Sequence, residues 1–163
     1  MNEVSQQIGR EIETTNEDVP SKDARTGYRF EKKIEERFTN NGYSVVSRSE
    51  RNIDIPKQRC GKKHRIDIRL SDGHLISCKY NGKVYGTAEE KIPFECIKLQ
   101  NAVDDSNGIF SKAVIILGGD KWNLKEYYLS EGFKERIVCP NVSIITEEMF
   151  DEYFPPKSDA GDS

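Results

Sequence analysis

The sequence predicts an α/β protein with a mixed central sheet flanked by helices, on three observations. Phe30, Ile34 and Phe38 recur every four residues, the apolar stripe of a helix. His64–Leu70 alternates polar and apolar residues, and Ser71-Asp72-Gly73 then turns the chain into a second run, His74–Tyr80, which together read as a hairpin. Ala113-Val114-Ile115-Ile116-Leu117 is unbroken apolar chain before Gly118-Gly119, as expected of a strand covered on both faces.

Taken in order, residues 1–25 are polar and aperiodic and are expected to be a flexible N-terminal segment. The domain proper is expected over 26–153. Its first helix runs from about Gly27 to Asn41, where Asn41-Gly42 accepts the positive φ of a helix end. Tyr43–Val46 reads as a short strand, and a basic irregular stretch leads to the hairpin. Ala88 to about Val103 reads as a helix with Thr87 as N-cap and Glu90 three residues on; Pro93 would delay its start to beyond Lys91. A helix at Leu124–Lys134, a strand at Val142–Ile145 and a helix at Glu147–Tyr153 follow. Residues 154–163, opening with Phe154-Pro155-Pro156, are expected to be a disordered tail.

Composition narrows the function. The 163 residues are 35% hydrophobic and 33% charged, the profile of a single water-exposed domain. No stretch reaches the roughly 20 apolar residues that span a bilayer, and the N-terminus lacks the basic start and apolar run of a secretory signal, so a cytoplasmic location and no membrane partner are expected. Cys60, Cys78, Cys96 and Cys139 are scattered without a CxxC pair, and with two histidines a structural zinc site is not expected; reduced, mostly buried thiols are.

The net charge of −3 is unevenly spread. Residues 1–25 carry six acids against three bases, whereas 47–69 carries eight bases against three acids. Arg51, Lys57, Arg59, Lys62, Lys63 and Arg65 belong to that basic stretch and are candidate contacts to a nucleic-acid backbone. The bland alternative is a solvated loop.

The hairpin carries the chemistry. Alternation places Asp67 between Ile66 and Ile68 on one strand and Lys79 near the end of the other, and a suitable register puts this carboxylate and ammonium on one face. As a plain surface salt bridge the pair would be worth under about 1 kcal/mol and do nothing else. As a Mg²⁺ site it needs a second acid, because the ion takes about six oxygens.

Ile66-Asp67, nine intervening residues and Ser77-Cys78-Lys79 resemble the signature of the PD-(D/E)xK nuclease superfamily. There an apolar residue precedes a metal-binding Asp and a D/E-x-K tripeptide follows on the next strand. Gly86-Thr87-Ala88-Glu89-Glu90-Lys91-Ile92-Pro93-Phe94-Glu95 resembles a block found in restriction-endonuclease-like members with an S-x-K tripeptide. The resemblance spans about 27–118. It implies a restriction-endonuclease-like fold and Mg²⁺-dependent hydrolysis of double-stranded DNA, with Asp67, Lys79, Glu89 and Glu31 as catalytic residues. Ser77 departs from the usual acid, so the missing metal ligand is expected from the following helix. Glu89 ranks first for matching the block, Glu90 second and Glu95 third. In a chain this small, the expected forms are a homodimer or the small nicking subunit of a heterodimer with a larger recognition subunit. The rivals are a non-catalytic nucleic-acid-binding module on a degenerate nuclease fold and a repair or junction nuclease.

Overall fold

The computed structural model describes residues 22–58, 61–82 and 88–158. The elements are α1 (Lys22–Asn40), β1 (Asn52–Asp54), β2 (Lys63–Arg65), β3 (Ile68–Arg69), β4 (His74–Tyr80), α2 (Lys91–Asp104), β5 (Lys112–Gly118), α3 (Lys125–Tyr128), α4 (Glu131–Arg136), β6 (Val142–Thr146) and α5 (Phe150–Tyr153). A mixed four-stranded sheet, ordered β3-β4-β5-β6, forms the centre, and β1 and β2 make a separate antiparallel pair. The expected α/β sheet flanked by helices is what forms.

The apolar periods explain the layers. Phe30, Ile34 and Phe38 pack one face of α1 onto Ile68, Ile76, Val114 and Ile116, with Phe150 and Phe154 alongside. Ile92, Cys96 and Leu99 of α2 cover the opposite face through Leu75, Ala113, Ile115 and Leu117. The run 113–117 is buried throughout because helices cover both its sides. β3 and β4 pair antiparallel, with Ile68 opposite Ile76, while β4–β5 and β5–β6 are parallel. At the end of β5, Gly118 meets α1 closely: a Cβ there would fall 2.4 Å from the Phe30 ring.

Several boundaries differ from the sequence reading, each for a physical reason. The run 64–70 is two strands, because the chain changes sheets at Ile66-Asp67. β2 pairs with β1, Ile66 N–H donates to Arg51 O, and only from Ile68 does the chain join β4. Tyr43–Val46 makes one bridge, Val45 to Leu70, rather than a strand. α1 begins at Lys22, inside the segment read as flexible. α2 begins at Lys91, which puts Pro93 in the first turn where its missing N–H leaves no bond unmade. The Thr87 cap lies outside the described residues, as do residues 1–21. The helix expected over 124–134 is two helices, the second capped by Ser130, whose Oγ accepts from Phe133 N–H. The tail assignment is corrected at its start: Phe154 is buried in the α1 layer and Lys157 N–H donates to Asn41 O, so residues 154–157 belong to the fold.

Arg51 overturns its assignment as a DNA contact. It is 1% exposed, and its guanidinium donates to Val46 O, to Glu35 Oε1 and Oε2, and to Asp67 O at 2.9 Å. With those donors engaged inside the fold, it cannot reach a phosphate. It fastens α1, the loop after it and the switch between sheets. Arg51→Met would leave two carbonyls and a carboxylate without that partner, and urea denaturation is expected to show a loss of roughly 3 kcal/mol. A loss under about 1 kcal/mol, the range of an exposed ion pair, would contradict this role.

Candidate functional site

The change of sheets delivers the first acid. Asp67 sits at the switch, half-buried, with its carbonyl held by Arg51 and its Oδ2 accepting from Cys78 N–H at 2.8 Å. β4 presents Leu75, Ser77 and Lys79 towards the α2 layer and Ile76 and Cys78 towards α1, as strand alternation requires.

The second acid comes from α2. Glu95 lies in the buried stripe with Ile92, Cys96 and Leu99 and is only 7% exposed. Its Oε1 accepts from Ser77 Oγ at 2.9 Å. Its Oε2 lies 3.6 Å from Lys79 Nζ and 3.0 Å from Lys98 Nζ. Glu95, third in the sequence ranking, is therefore the helix carboxylate that reaches Ser77 and Lys79. Glu89 is placed elsewhere: its Oε1 accepts from Leu124 N–H at 2.8 Å and its carbonyl from the Tyr128 hydroxyl. That acceptor role ties it to the start of α3. Glu90 is exposed at the start of α2 without a capping bond.

Glu31 approaches from α1. It is 9% exposed, with Oε1 3.3 Å from Arg65 and 3.9 Å from Arg48. Arg65 is itself more than half exposed, and Lys62 and Lys63 are exposed. Lys57 is exposed and pairs with Asp105 at 3.3 Å; Arg59 lies outside the described residues.

The charges pull against one another. Burial, reinforced by Glu95, raises the Asp67 carboxyl above its ordinary value despite the Cys78 N–H and the nearby Lys79 and Lys98. Burial also pushes Glu95 up, yet Lys79, Lys98 and the Ser77 hydroxyl outweigh it and hold this carboxyl low. Glu31 is raised by burial and then by Asp67. Cys78, between Asp67 and Glu31, is raised well above the usual thiol value, chiefly by burial, and stays a neutral thiol.

A divalent cation suits the donor set. Asp67 and Glu95 repel each other, which an ion between them would relieve. Among the described residues no ready-made group of three His, Cys, Asp or Glu ligands stands together. Two carboxylates with retained water are nonetheless enough for Mg²⁺, which commonly binds proteins through one or two acids.

Lys98 was not singled out in the sequence. Its signal was available: Glu95 and Lys98 stand three residues apart, and Glu95 interrupts an apolar stripe where an unpaired acid would be costly. Arg48, in the basic stretch, and Glu35, one turn after Glu31, are paired with each other.

The raised Asp67 pKa has a stability consequence. Between the unfolded and folded values the native state holds a proton that the unfolded chain has lost, so stability falls as pH rises through that window. At neutral pH the ionised Asp67 therefore costs stability. Asp67→Asn keeps an acceptor for Cys78 N–H without the charge. In thermal melts with chelator it is expected to melt above the wild type at pH 7, the gap closing below the ordinary aspartate value. A lower melting point at pH 7 would show that the lysines fully compensate the charge.

Comparison with known proteins agrees with this architecture. No curated protein and no solved structure matches the chain. The family model described as PD-(D/E)XK nuclease superfamily domain matches residues 22–127, more than half of the sequence, from α1 through the sheet switch, the tripeptide strand, α2 and β5. The chain belongs to the PD-(D/E)XK nuclease superfamily.

Proposed function

We propose that the protein is a Mg²⁺-dependent endonuclease that hydrolyses phosphodiester bonds in double-stranded DNA, with Asp67, Glu95 and Lys79 at its centre. The observation that carries this reading is the hydrogen bond from Ser77 Oγ to Glu95 Oε1, with Lys79 3.6 Å from the same carboxylate. A degenerate domain that had lost its tripeptide acid would have no reason to keep a buried carboxylate beside the tripeptide serine. Here the acid is supplied by α2 and oriented by the serine that replaced it.

Asp67 and Glu95 would hold the cation. Bound there, it would supply an acidified water and positive charge against the phosphate. Lys79 offers three N–H donors to orient the attacking water and to offset charge growing on the phosphoryl oxygens. Cys78 N–H fixes one Asp67 oxygen, leaving the other for the ion. Glu31 stands on the far side of Asp67, between Arg65 and Arg48, and is suited to position a water once a phosphate engages those arginines. Arg65, Lys62, Lys63 and Lys57 are exposed and would supply backbone contacts; such contacts position DNA without reading its sequence.

A restriction-type role, as a homodimer or as the strand-nicking subunit of a larger enzyme, suits a domain of this size. Supercoiled plasmid with Mg²⁺, with and without the products of neighbouring genes, tests it: a dimer gives linear product and a single-strand subunit gives nicked circles. Glu95→Gln and Lys79→Met are expected to slow cleavage by about a hundredfold or more, the scale on which loss of one transition-state contact is felt. Glu89→Ala, at a temperature where the variant is folded, is expected to cut within a few-fold of the wild type. Cleavage by Glu95→Gln at the wild-type rate, or intact plasmid under every condition, would refute the proposal.

A further inference from the structure

Lys98 makes the shortest charged contact in the site. Its Nζ lies 3.0 Å from Glu95 Oε2, against 3.6 Å for Lys79, and its side chain is 17% exposed. It also acts on Asp67 across the same space. A solvent-exposed i,i+3 pair would merely support the helix by a few tenths of a kcal/mol. This pair instead closes over a carboxylate that is 9% exposed and is gripped from the other side by Ser77.

The two oxygens of Glu95 are thus unequal. Ser77 orients Oε1, and the two ammonium groups share Oε2, the charge-accepting side of the carboxylate. Two acids, Asp67 and Glu95, are balanced by two bases, Lys79 and Lys98. A divalent ion added to that set leaves it with two excess positive charges. Lys79 is carried by β4, paired on both sides within the sheet, whereas Lys98 rides on α2 with a four-carbon stem that can swing outward.

We propose that Lys98 is a built-in counter-ion that occupies the cation-accepting side of Glu95 in the metal-free protein and is handed to a DNA phosphate when metal binds. The inference rests on the metal-dependent reading above. Lys98 keeps the affinity of the free protein for metal low and, by linkage, makes metal and DNA each tighten the other's binding. The effect is to hold the site incomplete until substrate arrives.

Calorimetric titration of Mn²⁺ into the DNA-free full chain measures this directly. Lys98→Met and Lys98→Gln are expected to bind about tenfold tighter than the wild type, a modest effect for deleting a unit charge a few ångströms away. Lys98→Arg is expected to bind like the wild type. The rise in metal affinity on adding a duplex is expected to shrink in the two neutral variants. Unchanged or weaker Mn²⁺ binding by folded Lys98→Met and Lys98→Gln would overturn the counter-ion role while leaving the nuclease reading intact. No Mn²⁺ binding by the wild type or by either neutral variant, with or without duplex, would remove the metal-dependent reading and this inference together. Lysine Cε NMR of the wild type, with the Lys98 signal assigned from Lys98→Arg, is a second readout that needs no neutral variant to fold: Mg²⁺ is expected to shift that signal, and a static signal at saturating Mg²⁺ would overturn the proposal.

Discussion

A buried carboxylate is tolerated only when its charge is answered, and Glu95 is answered three times, by Ser77, Lys79 and Lys98. That requirement organises the site. It fixes the rotation of α2, because Ile92, Cys96 and Leu99 can seat against the sheet only on the face that also carries Glu95. It also fixes the end of β4, because the tripeptide must present its serine and lysine to the same side. The Ser77 hydroxyl joins the tripeptide strand to the helix that covers it.

Arg51 provides the complementary constraint. A guanidinium inside a protein is costly unless its donors are filled, and here they bind one helix carboxylate and two carbonyls drawn from separate segments. One of those carbonyls belongs to Asp67. The backbone that carries Asp67 is therefore held by a buried residue, at the point where the chain leaves one sheet for another. Asp67 and Glu95 are each placed by a buried polar contact rather than by apolar packing alone. Such contacts fix direction as well as distance.

Much of the architecture was legible because burial writes itself into periodicity. The four-residue step of Phe30, Ile34 and Phe38 and the run from Ala113 to Leu117 each record which face meets the core, whereas the alternation through Ile66, Ile68 and Leu70 does not, because Ile66 packs with the α2 layer and Ile68 and Leu70 with the α1 layer. The sheet switch at Ile66-Asp67 was not legible, because alternation continues unbroken while the hydrogen-bond partners change. Arg51 was misread for a related reason: a charged residue in a basic stretch looks exposed when its partners lie in distant segments. Asp67 and Lys79 were candidates from strand pairing and motif, and the structure sets Asp67 against Cys78 N–H and Lys79 beside Glu95. Choosing among Glu89, Glu90 and Glu95 by motif alignment favoured Glu89. That residue precedes α2, whereas Glu95 lies inside it, three residues after Ile92 and four before Leu99, and so meets Ser77 on the sheet.

Gly118 draws these layers together. Its carbonyl accepts from Asn81 N–H and from the Trp122 indole, and its bare Cα leaves room for the Phe30 ring. Phe30 immediately precedes Glu31, so the missing methyl works as a spacer of zero thickness beneath the first helix. A residue that touches neither carboxylate thereby helps to seat the helix that carries one of them.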